Sequence, residues 1–560
     1  MIIKMSAIPG GKMGKVGKMN VKAGDKVAAG DILAQVETAK GNRPVKAVSG
    51  GTVSRVLCEE GAEIASNAEM FDIVENLVSE EPAEANIENI TQKNQKEVST
   101  DLLIIGAGPG GYVAAIYAAK NGLKVTLVEE SELGGTCLNV GCIPTKALVK
   151  SAEICHNVKN ASLFGVETAG NISVNMKQVI DRKDKVKNRL VSGVDFLMKK
   201  NEINVISGHA SFIDEYTISV NGNENYIIKA KNIMIATGSK ISKIAIPGME
   251  LPFILNSTTA LSNTELPKSI AIIGGGVIGM EFAFIYKNFG VEVHVIEFMD
   301  RLLTMVDHDI AKEIQDIAEE EKIKVHTGSK VMKIQSSIDG KAVITYEDKH
   351  GEHLLVSEKV LVAIGREPNL DGLSLDKSGV LLNSKGKGIQ VDASMRTNIS
   401  HIYAIGDVTN IIQLAHVASH QGIVAVDNIL GKNKAMDYSA VPNVIFTSPE
   451  IASVGTGEDE ANAAGMNITV SKFSFAGNGK ALTMGETRGF MKLIKDNETG
   501  KIIGGSMIGP DASSLISSLT LAIANEFTEK QITETIFSHP TTGEVIHEAA
   551  MDFGIGALHQ

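Results

Sequence analysis

Two cysteines five positions apart, Cys137 and Cys142, lie in GGTCLNVGCIPTK, and a histidine, His539, lies in HPTTGE with Glu544 five residues on. Thiol–disulfide exchange needs a thiolate, so such a pair calls for a base that takes a proton from an incoming thiol and later returns it. A carboxylate behind an imidazole fixes its tautomer and raises its basicity. In a regular helix, positions five apart are too distant for a relaxed disulfide, which wants Cα atoms about 4.4–6.8 Å apart. The segment must therefore bend, and Gly141 and Pro144 suit a bend. A strained or accessible disulfide is easily reduced, as a redox-active one should be. The bland alternatives are two unrelated buried thiols and one structural histidine among 13.

The second kind of chemistry lies in two glycine loops. DLLIIGAGPGGYVAAIYAAKNGLKVTLVEE and SIAIIGGGVIGMEFAFIYKNFGVEVHVIEF each read as apolar strand, glycine turn, amphipathic helix and second strand ending in an acid. The loop glycines are Gly106, Gly108 and Gly111 in the first copy and Gly274, Gly276 and Gly279 in the second. A G-x-G-x-x-G turn lets backbone approach a pyrophosphate, which then sits on a helix N-terminus. The acids, Glu129 and Glu297, fall at the same spacing in both copies and suit a ribose hydroxyl. One such loop is weak evidence; two with identical spacing predict two dinucleotides. Glu297 favours a free 2′-hydroxyl and repels a 2′-phosphate, so the second site is expected to take NAD rather than NADP. Arg301, four residues on, is read as a surface or pairing residue.

The elements that must position these residues follow from composition and pattern. A chain of 560 residues exceeds one core, so several domains are expected. Lys+Arg 54 against Asp+Glu 66 gives a net charge of −12, an acidic balance that argues against nucleic acid as a partner. No apolar run suits a signal peptide or a membrane span, so neither is expected. The cysteines are four, Cys58, Cys137, Cys142 and Cys155, too few for a disulfide scaffold, and a reducing, cytoplasmic setting is expected.

Residues 1–76 contain a weak internal repeat in which Gly24, Val27 and Val36 answer Gly61, Ile64 and Ile73. Such halves predict a small flattened β-barrel or sandwich. Residues 77–98 are polar and without apolar period, and read as a flexible tether. The predicted fold is α/β: two Rossmann-like dinucleotide-binding domains plus an α+β interface domain, after the small all-β domain. The expected boundaries are 99–248 and 371–442 for the first nucleotide domain, 249–370 for the second, and 443–560 for the interface domain.

From Thr100 onward the chain resembles the pyridine nucleotide–disulfide oxidoreductases, a family of flavoproteins, on the strength of GGTCLNVGCIPTK beside the first glycine loop. The resemblance implies FAD at the first loop, with Cys142 facing the flavin as thiolate and Cys137 exchanging with substrate. It implies that Lys146 lies beside the flavin ring, paired with Glu281, and that Asp407 in AIGD bonds the ribityl chain. Thr136, Ala210, Thr237, Gly238 and Ala415 carry over as further FAD contacts. Val331 and the AIGR turn, through Ala363, Gly365 and Arg366, carry over on the NAD side. His539 and Glu544 become the acid–base pair of a C-terminal dimerisation domain, serving the flavin of the other subunit. His547 and Glu548 are read as helix surface residues, and His416 and His420 as packing or surface groups.

Residues 1–76 resemble the biotinyl/lipoyl domains, with Lys40 in ETAKGN as the lysine that would carry a lipoyl group. Biotin carriers place Met on both sides of that lysine, and this chain does not. The two resemblances together imply NAD-dependent oxidation of dihydrolipoyl groups, within a 2-oxo acid or acetoin dehydrogenase complex whose acyltransferase bears lipoyl groups. A homodimer is expected, and no metal. Two alternatives stay open at this point: a related flavin reductase with another disulfide substrate, and a silent lipoyl carrier or docking subunit.

Overall fold

The computed structural model describes residues 2–5, 13–28, 30–38, 41–47, 51–66, 68–74 and 95–560. The chain divides into two compact units, Met1–Gln92 and Lys93–Gln560.

In the first unit, short strands alternate apolar and polar residues and turn at glycines, giving two open four-stranded antiparallel sheets. Their inner faces share one core containing Val16, Leu33, Val36, Val53 and Phe71. Two separate sheets make this a sandwich and not a barrel. The internal repeat is structural: Gly24 and Gly61 both turn at positive φ (+96° and +87°), and their N–H groups donate to Val53 and Val16. Val27 and Ile64, and Val36 and Ile73, occupy buried positions in the two halves. Strand Ile32–Thr38 pairs with Gly41–Lys46, with Thr38 opposite Gly41. Lys40 lies outside the described residues.

The second unit opens with strand Gln95–Ile105, so residues 95–98, expected to end the tether, are sheet. Their polarity hid this: the strand's first residues are exposed, yet they pair in parallel register with Asn225–Ile235 along its length. Val125–Glu129 and Asn204–Ser207 extend that sheet on one side, and the returning strand Ile402–Ala404 pairs with Ile233–Ile235. Helix Pro109–Lys120 follows the central strand and packs its alanines, Ala114, Ala115 and Ala118, into the core beneath.

A second, fully parallel sheet repeats the plan, in the order Ile254–Asn256, Lys359–Val362, Ser269–Ile273, Glu292–Ile296, Lys324–His326. Its glycine loop leads into helix Val277–Phe289. The central strands of both sheets, Leu102–Ile105 with Val125–Val128 and Ile270–Ile273 with Val293–Ile296, are buried and largely apolar on both faces, as parallel strands covered on both sides must be. From Asn443 a five-stranded antiparallel sheet carries helix Ala512–Ala524 and the terminal helix Glu544–Met551. Among the described residues no helix is long and apolar enough to cross a membrane.

Candidate active site

The cysteine segment bends where two short-range demands meet. Helix Gly135–Val140 stops at Gly141, whose φ of −138° and ψ of −116° are not helical, and a new helix, Cys142–Lys159, starts at once. A Cβ on Gly141 would lie 2.9 Å from the Thr136 carbonyl oxygen and 3.2 Å from the Cys137 Cα. Only glycine lets the chain fold back so closely on Cys137. Both cysteines are free thiols. Their side chains are hydrogen-bonded to each other, which lowers Cys142 to about 7. Burial opposes that shift, and the Lys146 ammonium, one turn along the same helix face, assists it. Cys142 also opens the N-terminus of its helix, where a negative charge is favoured. The same shared hydrogen bond, with burial, pushes the Cys137 thiol up.

Lys146 Nζ donates to both oxygens of Glu281, at 2.8 and 2.9 Å. Glu281 is buried on helix Val277–Phe289, so this ion pair joins the cysteine helix to the second glycine-loop helix.

The two glycine loops have closely similar geometry. Gly106 and Gly274 turn at φ +103° and +108°, where a Cβ would lie 2.3 Å from the Ala236 carbonyl oxygen and 2.5 Å from that of Ala363. A Cβ on Gly111 would lie 1.9 Å from the Gly106 carbonyl oxygen, and one on Gly279 equally 1.9 Å from that of Gly274. These third glycines pack helix against loop and do not line the cleft, so their part in binding is indirect. The middle glycines differ: a Cβ on Gly276 would meet nothing within 4 Å, and one on Gly108 only the Gly135 Cα at 3.9 Å. Space is kept where a pyrophosphate would meet backbone.

The two acids brace their loops. Glu129 accepts from the Ala107 N–H at 2.7 Å and the Ser131 N–H at 2.9 Å. Glu297 accepts from the Gly275 N–H at 2.5 Å and the Met299 N–H at 2.7 Å. Burial pushes the Glu129 carboxyl up, against the pull of its backbone donors.

One continuous cavity of about 2180 Å³ runs past both loops. It is lined by Gly106, Gly108, Glu129, Thr136, Cys137, Cys142, Lys146, Ala210, Thr237, Gly238, Asp407 and Ala415, and by Gly274, Gly276, Glu281, Glu297, Val331, Ala363, Gly365 and Arg366. Arg366 corrects its expected place on the second-loop side. Its guanidinium turns to the other loop, donating to Ser239 Oγ at 2.8 Å, the Ser239 carbonyl at 2.6 Å and Thr136 Oγ1 at 3.3 Å. Ser239 in turn donates to Asp407 Oδ2 at 2.5 Å. A half-buried guanidinium is best satisfied by these oxygens, with the Asp407 charge nearby.

Sequence reasoning missed Ser239, although it follows directly on the Thr237–Gly238 turn. It also missed Gln421, a fully buried amide that accepts from the Gly406 N–H at 2.6 Å and donates to the Tyr438 hydroxyl at 2.9 Å. Phe446, whose ring lies 4.3 Å from Lys146 Nζ, had no sequence signal at all.

His539 does not line this cavity. Its side chain is 77% exposed, with Nδ1 2.9 Å from Glu544 Oε1. Glu544 Oε2 accepts from the Thr541 N–H at 2.9 Å. Burial works against ionisation of Glu544, but this N–H and His539 hold its carboxyl below the ordinary value. Glu548 is not the surface group expected: it is buried and accepts from the Leu558 and His559 N–H groups and from His559 Nδ1, tying down the C-terminus. His547 bonds the Thr533 carbonyl, and Arg301 the carbonyls of Val306 and Thr304.

Residues 100–422 match the family model described as pyridine nucleotide-disulphide oxidoreductase. The chain belongs to that family. Residues 441–550 match the dimerisation domain of the same oxidoreductases, and residues 3–73 match a model described as biotin-requiring enzyme. Among curated relatives, a dihydrolipoyl dehydrogenase of Chlamydia muridarum is 46% identical over 455 residues, covering 80% of this chain and 96% of the relative. One of Bacillus subtilis is 44% identical over 473 residues, covering 82% and 99%. Among solved structures, the HOCl-induced flavoprotein disulfide reductase RclA of Escherichia coli superimposes with a TM-score of 0.72 at 30% identity, covering 80% of this chain and 99% of that one. This oxidoreductase thus carries, besides its nucleotide domains, a dimerisation domain and an N-terminal domain of the lipoyl type.

Proposed function

We propose that the protein is a dihydrolipoyl dehydrogenase, catalysing dihydrolipoamide + NAD⁺ → lipoamide + NADH + H⁺. The observation that carries this reading is the single cavity in which two glycine loops converge on the Cys137–Cys142 pair. The open space before Gly108 and Gly276 fits two pyrophosphates, and Glu129 and Glu297 stand where riboses would follow. FAD at the first loop would be held by Asp407, Thr237, Gly238, Ala210 and Ala415, and would supply two-electron chemistry between a dithiol and a nicotinamide. NAD belongs at the second loop, because the Glu297 carboxylate disfavours a 2′-phosphate.

The residues divide the work by their environments. His539, oriented by Glu544, accepts the proton of the incoming thiol. The substrate thiolate attacks the Cys137 sulfur of the oxidised pair, and Cys142 leaves as the thiolate that its helix N-terminus and Lys146 stabilise. The second substrate thiol then attacks the mixed disulfide and passes its proton to the departing Cys137 sulfur, closing the lipoyl disulfide and leaving Cys137 as a thiol. Lys146, fixed by Glu281, keeps a positive charge beside the reacting sulfur.

The N-terminal domain, taken as residues 1–76, would carry a lipoyl group on Lys40 and precede nucleotide domains at 95–248 with 371–442 and at 249–370, and an interface domain at 443–560. A lipoyl arm on the same chain would raise the local concentration of its dithiol. The wider partner would be a lipoyl-bearing acyltransferase of a cytoplasmic 2-oxo acid or acetoin dehydrogenase complex.

The test is a paired assay on FAD-loaded protein: NADH with lipoamide against NADPH with oxidised glutathione. Turnover should be confined to the first pair, and preference for the second would sink the proposal. Intact mass of the wild type against Lys40→Ala reports the lipoyl group.

A further inference from the structure

Lys146 is held by more than its ion pair. The Phe446 ring lies 4.3 Å from its ammonium, and the Phe446 N–H donates to Glu281 Oε1 at 3.0 Å. Phe446 directly follows strand Asn443–Ile445 of the antiparallel sheet, and it lines the same cavity as Cys142. Three parts of the fold therefore meet on one cation: the cysteine helix brings Lys146, the second glycine-loop helix brings Glu281, and the C-terminal sheet brings Phe446. A cation against an aromatic face is attracted by the ring quadrupole, the more so where water is excluded. A long lysine side chain otherwise swings freely into solvent.

We propose that Phe446 is a positioning residue for the redox centre: its backbone N–H orients Glu281 and its ring pins the Lys146 ammonium, so that the cation stays within reach of the Cys142 sulfur. This rests on the reading of Cys142 as the flavin-facing thiolate. Charged and titratable groups around that sulfur are Cys137, Lys146, Glu281 and Arg366, and their charges are untouched by changes at Phe446. A change there thus acts only through where Lys146 sits.

The experiment compares Phe446→Leu and Phe446→Tyr as FAD-loaded, reduced enzymes, following the long-wavelength thiolate-to-flavin absorbance against pH. Both keep the backbone N–H, so they isolate the ring. The Leu variant should raise the thiolate midpoint by about half a pH unit, about a threefold loss in the thiolate-to-thiol ratio. The Tyr variant should restore the wild-type midpoint. If Phe446→Leu loses its flavin or unfolds, Phe446→Met keeps the volume without the ring and is read the same way. An unchanged midpoint in the ring-less variant, or an equal rise in the Tyr variant, overturns the inference while leaving the proposed function standing. A wild type with no such absorbance overturns both.

Discussion

The same chemical group takes opposite characters at two positions five residues apart, because one thiol donates and the other accepts. Cys142, at a helix N-terminus with Lys146 one turn on, is lowered to about 7, and Cys137 is pushed up by the bond it donates and by burial. The sign follows directly. Above pH 7 Cys142 is a thiolate; as pH falls through that value it gains a proton and loses its nucleophilic form. Ultraviolet thiolate absorbance of the reduced protein should therefore show a transition near pH 7 that Cys142→Ser abolishes. Cys137→Ala removes the donor and should move the transition upward; a midpoint that stays near 7 would contradict the shared bond. At this scale a local motif named the cysteines, and the family resemblance it carries implied Lys146 and Glu281. Ser239 and Phe446 escaped it. Ser239 acts on Asp407 across 168 positions, and the Phe446 N–H reaches Glu281 across 165. Such contacts exist only once the sheets are assembled.

Elements were legible where a period or a turn fixes them, and least legible where exposure erased the pattern. Apolar strands, glycine turns and the acid spacing recur in both loops, and the atoms follow: the third glycine of each stands against the carbonyl of the first at the same separation. Strand Gln95–Ile105 begins in polar residues that carry no apolar signal, and its pairing with Asn225–Ile235 is what makes it sheet. An acid on a terminal helix normally faces solvent, but the turn after this helix folds back to donate three hydrogen bonds to Glu548. The glycine geometry makes a paired prediction. Gly279→Ala forces a methyl group into the Gly274 carbonyl, so the second loop must distort, at a cost of about 1–3 kcal/mol or more. NADH affinity measured by fluorescence titration should fall at least tenfold while FAD content is kept. Gly111→Ala should do the reverse, losing FAD. Equal loss of both cofactors from either variant would mean that the loops do not act separately.

At the scale of the catalytic unit, two kinds of joint hold the parts in place, one ionic and one between subunits. Lys492, wholly buried in the antiparallel sheet, donates to Asp309 at 2.7 Å and Glu458 at 3.0 Å, and lies 2.6 Å from Asp307. Asp307 and Asp309 lie at the start of helix His308–Glu320 in the second nucleotide domain, so this ammonium fastens that domain to the C-terminal one. Lys492→Met takes the cation from Asp307 and Glu458, leaves Asp309 only its bond to Lys472 at 2.6 Å, and should cost about 3–5 kcal/mol in chemical denaturation. The second joint concerns His539, which is exposed and away from the cavity of its own chain, on a segment that belongs to a dimerisation domain. If it serves the partner's cysteines, a functional site contains Cys142 from one chain and His539 from the other. Cys142→Ser and His539→Gln homodimers would each be inactive or nearly so. Unfolded together and refolded, half of the dimers would be mixed, and each mixed dimer would hold one site with both residues intact. Activity should then return to about a quarter of the wild-type rate, which follows from the two-fold arrangement alone. If each histidine instead served its own chain, every site in the mixture would carry one defect and no activity would return. The mixing experiment thus distinguishes a site shared across the dimer from one complete within a chain, without reference to the geometry of the interface.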